Sequence, residues 1–247
     1  MFSYIWHTIF FDPIYNGLVF FIDVVPGGDA GVAIIVLTIL VKFLMLPLSI
    51  KATRTQFLMQ QLEPTLKEIK EKHATNREEL GRATMKAYSD AGVNPLAGVF
   101  LMFIQIPILF ALYFSVYSGG GVKLPNINIE LLYSFIQIPA VVNMLFLGMI
   151  DVAAKSIPLA LLAGITQFFQ VRLSMPPLPA KDPSAAPSFK DDFARSMQLQ
   201  MRYVMPLIIF VVAYQVNAAI GIYFTISNLF SITQETFIKK NISTKTI

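Results

Sequence analysis

The sequence predicts an all-α integral membrane protein with five transmembrane helices and a charged cytoplasmic hairpin. Three observations carry this. The chain has 247 residues, 55% of them hydrophobic and only 14% charged, with a mean hydropathy of +0.62; these are values of a membrane protein rather than a soluble domain. Several uncharged or nearly uncharged runs approach the roughly 20 helical residues that a hydrocarbon core of about 30 Å requires. The basic residues are also segregated, as described below. The chain has no cysteine, hence no disulfide framework, thiol nucleophile or Cys-based metal site. His7 and His73 are far apart and outside any ligand-spaced cluster, so neither metal nor cofactor is expected.

Residues 1–30 are apolar but interrupted by Asp12, Pro13, Asn16, Asp23 and the Pro26-Gly27-Gly28 turn. No Lys or Arg precedes Lys42, so the basic region of a signal peptide is missing and the mature chain is expected to begin near Met1. The run from Pro13 to Val25 is short and polar for a span. An aromatic-rich interfacial helix is expected, with Tyr4, Trp6 and the phenylalanines at headgroup level.

The first span is Gly31–Ile50, twenty residues with a single charge, Lys42. A lysine at the centre of a span costs about 2.5–3.5 kcal/mol on insertion scales. Thr38 and Ser49 share its helix face, and such a polar stripe needs a wet or protein-lined space. Two readings of Lys42 stand: snorkelling to the cytoplasmic end, or placement in a hydrated cavity.

Residues 51–92 hold eight Lys/Arg and six Asp/Glu, with Glu63–Lys67, Glu68–Lys72 and Glu78–Arg82 four apart. Pro64 suits the first turn of one helix, Thr75 with Glu78 makes a capping box for the next, and Gly92 ends it. This charged helical hairpin is either a solvated connector or a docking surface for anionic headgroups, RNA or a protein.

Asn94 caps and Pro95 begins the second span, 95–117, which carries Gln105 and Pro107. An outer loop, 119–155, follows. The third span, 156–175, puts Gln167, Gln170 and Ser174 on one face, and 176–202 is a Pro/Ser/Ala-rich loop. The fourth span is 203–216 and the fifth 218–238, with Asn217 in the turn between and Gly221, Thr225, Asn228 and Glu235 near one face. A short basic tail, 239–247, ends the chain.

Leu131–Ile150 is also twenty residues without a charge, and a sixth span there would reverse everything after it. Charge argues against that. With five spans and the N-terminus outside, the cytoplasmic segments hold eight Lys/Arg at 51–92, five at 172–202 and three at 239–247, leaving only Lys123 and Lys155 outside. Residues 131–150 are therefore expected to form interfacial helices.

Together these features resemble the YidC family of membrane protein insertases. The resemblance is carried by LTILVKFLMLPLSIK at 37–51, NPLAGVFLMFIQIPILFALY at 94–113 and IYFTISNLFSITQ at 222–234, and it covers about residues 31–240. It departs from the family pattern at Lys42, where arginine is common, and at Asn217, where proline is usual. Lysine lacks the bidentate fork of arginine, so gripping a carboxylate by geometry is in doubt. The chain looks like the short forms, without a large periplasmic domain, long basic tail or lipoprotein-type cysteine.

The resemblance implies five helices around a hydrophilic groove, open to cytoplasm and lipid and closed outside, in a bacterial cell membrane. It implies a non-enzymatic insertase whose partners are nascent membrane proteins and lipids, with the ribosome and the Sec translocon as further partners and no specific nucleic acid. Lys42 would be the groove cation, with Thr38, Gln105, Gln167, Gln170, Thr225 and Asn228 lining the groove. For the glutamines, groove lining and interhelical hydrogen bonding stay open; for Thr225 the latter is the better reading. Two other classes remain: a small transporter or ion-pathway protein using Lys42, although the two halves show no repeat, and a structural adaptor that merely tolerates it.

Overall fold

The computed structural model describes residues 2–74, 76–94, 97–117, 121–175 and 195–243. It is all-α apart from one two-stranded pairing. Helix α1 (Ser3–Val24) contains a π-helical turn, Trp6–Phe11. It is followed by α2 (Ala30–Leu44), α3 (Leu46–Gln61), α4 (Glu63–Lys72), α5 (Arg77–Asp90) and α6 (Ala97–Tyr117). After the α6–α7 connection, with strands β1 (Leu145–Phe146) and β2 (Ile150–Asp151), come α7 (Ile157–Ser174), α8 (Arg195–Val216) and α9 (Ala218–Ser243). Helices α1, α7 and α8 are long and apolar enough to cross a membrane, and α2 with α3 passes as one broken span. In α6 the apolar stretch is the shorter Phe103–Tyr117.

The residues form two compact units. One comprises α1, α2, the later part of α6 from Ile106, the α6–α7 connection, α7, α8 and α9 as far as Thr233. Its packing centres on small residues of α7. Ala160 and Ala163 cluster with Ala213 of α8 and Ile220 of α9, and Leu109 and Tyr113 of α6 pack against them. A Cβ on Gly164 would stand 3.1 Å from Phe210 Cβ, and one on Gly221 would stand 3.0 Å from Leu159 Cβ. Small residues let backbones approach where lipid supplies no hydrophobic drive between helices. Helices α1 and α2 meet through Leu18, Ile22, Ile34 and Leu37, all buried.

The second unit holds α3, α4, α5, α6 as far as Gln105 and α9 from Gln234. On α3 the buried residues are Ala52, Thr53 and Phe57. The Ser49 hydroxyl donates to Gln234 Oε1 at 2.9 Å, and Lys239 Nζ lies 4.7 Å from the Phe57 ring centroid. Helices α4 and α5 bury no residue, as a charged hairpin should. Of the expected pairs, Glu78–Arg82 forms at 2.9 Å, and Pro64 and Gly92 sit where the sequence places them. Thr75 lies outside the described residues, and α5 is capped instead by Asn76, whose Oδ1 accepts from the Glu78 and Glu79 amides. Pro95 and residues 176–194 are likewise outside them.

Four expectations are corrected. The run 31–50 is not one helix, because it breaks at Met45. Pro47 is the cause: it has no N–H for the Phe43 carbonyl and its ring crowds that carbonyl, while fitting the first turn of α3. Ser49 therefore does not continue the Thr38–Lys42 face. Residues 131–150 are not helical either. Beyond a 3₁₀ turn, Ile129–Leu131, the chain is extended and folds back at Leu147-Gly148, both with positive φ. Its polar backbone groups bond to other elements, which outweighs local helix formation. Finally, α8 begins at Arg195 rather than 203, and α1, expected to be short of a span, is 22 residues long.

Across the wider α6–α7 connection, from Asn128 to Ala154, such bonds are made to α1, α2 and α9. Buried Asn16 on α1 donates to Leu131 O (2.9 Å) and Asp12 O (2.9 Å) and accepts from Tyr133 N (2.7 Å). Tyr15 Oη accepts from Asn128 N at 2.8 Å. Gly28, at φ +63°, leaves room for the Val141 carbonyl that a Cβ would strike. Asn16→Ala removes the partner of the part-buried Leu131 carbonyl and Tyr133 amide, so it should destabilise the protein by about 2 kcal/mol. Thermal unfolding in detergent reads this out, and an unchanged midpoint would show that the α1 contact adds nothing to stability.

Candidate functional site

The residues singled out by sequence fall into three settings. Lys42 is half-buried in the last turn of α2. Among the described residues its ammonium forms no hydrogen bond or ion pair. Because α2 ends two residues later, Lys42 is not at the middle of a continuous helix, and the partial negative charge of a helix C-terminus favours a cation there. One turn earlier, Thr38 is buried and donates to its own Ile34 carbonyl at 2.7 Å. Next to Lys42 in sequence, Phe43 meets Phe230 of α9 edge-on at 5.2 Å.

On α7 a polar row runs along one face, as the i, i+3, i+4 spacing requires. Gln167 Nε2 donates to Gln170 Oε1 (3.3 Å), and Gln170 Nε2 donates to Ser174 Oγ (2.8 Å). Both glutamines are half-buried. Such amides can exchange these bonds for bonds to a polar visitor without leaving a donor bare.

On α9 the two candidates differ. Asn228 is buried and reaches α7, its Nδ2 donating to Thr166 Oγ1 at 3.3 Å and to Ala163 O at 3.5 Å. That is interhelical bonding of the kind worth about 0.6 kcal/mol in a membrane. Thr225 is half-buried and donates to Gly221 O of its own helix at 2.8 Å. Gln105 belongs to the other compact unit. The structure thus joins Asn228 to α7 and the two glutamines to each other.

Sequence reasoning missed Thr166, which also donates to Leu162 O (2.8 Å) and Ala163 O (3.1 Å) and is the partner of Asn228. Its position beside Gln167 drew no notice because a lone threonine in a span ordinarily bonds its own helix. It missed Asp29 too. One carboxylate oxygen caps α2 at Val32 N (3.0 Å), and the other accepts from Leu147 N (2.8 Å). Ala30 N donates to Asn143 O (2.9 Å), and Ala218 N and Ala219 N at the start of α9 donate to Ala154 O (2.7 Å) and Val152 O (2.9 Å). The α6–α7 connection therefore holds one end of α2 and one end of α9.

Comparison with known proteins is consistent across the chain. The family described as 60Kd inner membrane protein matches residues 21–245. "Membrane protein insertase YidC 2" of Bacillus anthracis is 30% identical over 239 residues, covering 95% of this chain and 81% of that protein. "Membrane protein insertase YidC" of Oceanobacillus iheyensis is 31% identical over 246 residues, covering 98% and 86%. "Membrane protein insertase MisCA" of Bacillus subtilis is 30% identical over 228 residues, covering 90% and 75%.

Proposed function

The chain belongs to the 60Kd inner membrane protein family, the YidC insertases among its relatives, and we propose that it is a multi-pass membrane protein insertase of the cell membrane, moving nascent membrane proteins from the cytoplasm into the bilayer. The family match over nearly the whole chain carries this reading. Its immediate partners are the nascent segments and the surrounding lipid. The ribosome and the Sec translocon are further proposed partners.

The proposed mechanism needs no covalent step. A nascent span with a short polar tail enters from the cytoplasm, and its apolar part slides along α7 and α9 into lipid. Its tail occupies a polar groove lined by Thr38, Gln167, Gln170, Thr225 and Asn228, with Lys42 as its cation. Hydrating the tail part-way across shortens the hydrocarbon it must cross. An ammonium without an ion pair can receive a carboxylate, and the Gln167–Gln170 row can trade internal hydrogen bonds for bonds to the tail. Asn228 contributes mainly by tying α9 to α7.

In the proposed topology the N-terminus and the α6–α7 connection are outside, and the α4–α5 hairpin, the α7–α8 loop and the C-terminus are cytoplasmic. The distribution of basic residues supports it, since Lys123 and Lys155 are the only ones left outside. Helix α1, although long enough to span, is proposed to lie in the outer interface, because His7 and Asp12, 2.9 Å apart, would otherwise sit inside the hydrocarbon.

Reconstitution tests the function. Proteoliposomes of the purified chain should integrate a single-span substrate with an acidic tail far above the level of empty liposomes and leave trapped solutes in place. Solute flux without integration would identify a transporter instead.

A further inference from the structure

Residues 131–150 carry no charge, yet they form no helix; Leu131, Leu132 and Ile136 pack against the α1 cluster of Phe11, Tyr15 and Val19, while other apolar side chains stay exposed. Phe135 and Met149 are each 76% exposed, and Ile138, Val141 and Leu147 are more than half exposed. Leu147 and Gly148, at φ +51° and +73°, turn the chain between the paired strands and set Leu147 and Met149 at its apex. A contiguous apolar surface of this kind marks an interaction site when it faces water. The hydrocarbon core does not suit it, because irregular backbone exposed to lipid leaves amides and carbonyls unsatisfied. The boundary between headgroups and acyl chains meets both requirements.

Two cation–tyrosine pairs mark that level. Lys123 Nζ lies 4.8 Å from the Tyr117 ring centroid at the end of α6, and Lys155 Nζ lies 5.6 Å from that of Tyr214 near the end of α8. Tyrosine and lysine together are the anchors of a membrane interface. They bracket the segment in sequence, so it leaves and rejoins the protein at headgroup level.

We propose that residues 131–154 form a lipid-anchored clasp: Phe135, Ile138, Val141, Leu147 and Met149 insert into the outer leaflet at the headgroup–acyl boundary, while the backbone of the segment holds the outer end of α2 through Asn143 and Leu147 and that of α9 through Val152 and Ala154. The occupant is lipid, given the lysine–tyrosine pairs on either side of the segment and the absence of any charge in 131–150 that would set a protein–protein register. The grip is the Asp29, Ala30, Ala218 and Ala219 hydrogen bonding already described. This inference rests on the outside placement proposed above.

The test uses the full chain in vesicles of phosphatidylethanolamine and phosphatidylglycerol, with a nitroxide on a single cysteine. The chain has none of its own. Labels at Met149→Cys and Phe135→Cys are compared with one at Glu130→Cys, an exposed charged position in the same connection. The ratio of collisions with oxygen to collisions with an aqueous nickel complex should be several-fold higher at 149 and 135 than at 130. Equal ratios overturn the clasp, and so does dipolar broadening between labelled copies, which would identify a second copy as the occupant. An impermeant maleimide added from outside should label the Glu130→Cys protein. Labelling of that variant only after permeabilisation overturns the topology, whereas outside labelling at position 130 together with a water-exposed position 149 overturns the clasp alone.

Discussion

Lys42→Ala will slow integration of acidic-tailed substrates by about tenfold or more, leave neutral-tailed ones near the wild-type rate, and Lys42→Arg will retain activity on both. The attraction between an ammonium and a carboxylate about 4 Å apart is about 4 kcal/mol at an effective dielectric of 20 and about 1 kcal/mol in bulk water. Because about 1.36 kcal/mol is tenfold in rate, the hydrated end of that range corresponds to about fivefold, and a partly dehydrated groove raises the loss to tenfold or more. The ammonium is available for this role: Lys42 is half-buried and, among the described residues, makes no ion pair. With the inside negative, moving one negative charge outward gains about 2.3 kcal/mol per 100 mV, so collapsing the potential should narrow the gap between acidic and neutral tails. Paired substrates differing only in tail charge, followed in proteoliposomes, provide the measurement. Equal loss on both would falsify charge steering. A more stable Lys42→Ala protein with unchanged integration would mean that the lysine is only accommodated by the end of α2.

Replacing residues 63–90 with a short Gly-Ser linker will abolish insertion in cells and leave the protein folded. Helices α4 and α5 bury no residue, so their removal exposes no core. They carry six Lys/Arg, each worth about 1 kcal/mol beside a surface with anionic lipid. Losing them removes the basic surface that would gather anionic partners at the cytoplasmic entrance. The thermal unfolding profile checks the fold, and a reporter of substrate topology checks insertion. Normal insertion by the shortened chain would reduce the hairpin to a connector.

Short-range chemistry made several features readable from the chain. Pro64 opens α4 and Gly92 closes α5, because each depends on neighbours within four residues. The apolar runs likewise marked α7 and α8, and three sequence motifs pointed to a family that the comparisons then showed. Even here a local reading slipped once: Pro47, five residues after Lys42, breaks the first span, and hydropathy averaged over twenty residues conceals a missing N–H.

The α6–α7 connection and the partners of the polar residues were not readable this way. Residues 131–150 have the composition of a span or an interfacial helix, but Asn16, Asp29 and Ala30 draw their backbone groups into long-range hydrogen bonds. Asn228 pairs with Thr166, sixty-two positions away in sequence, whereas Thr38 and Thr225 turn back to their own helices. Composition and periodicity report what a residue can do within its own turn or on its own helix face. Which distant donor meets a buried acceptor depends on how closely the helices approach, and in this chain small residues such as Ala163, Gly164 and Gly221 set that approach.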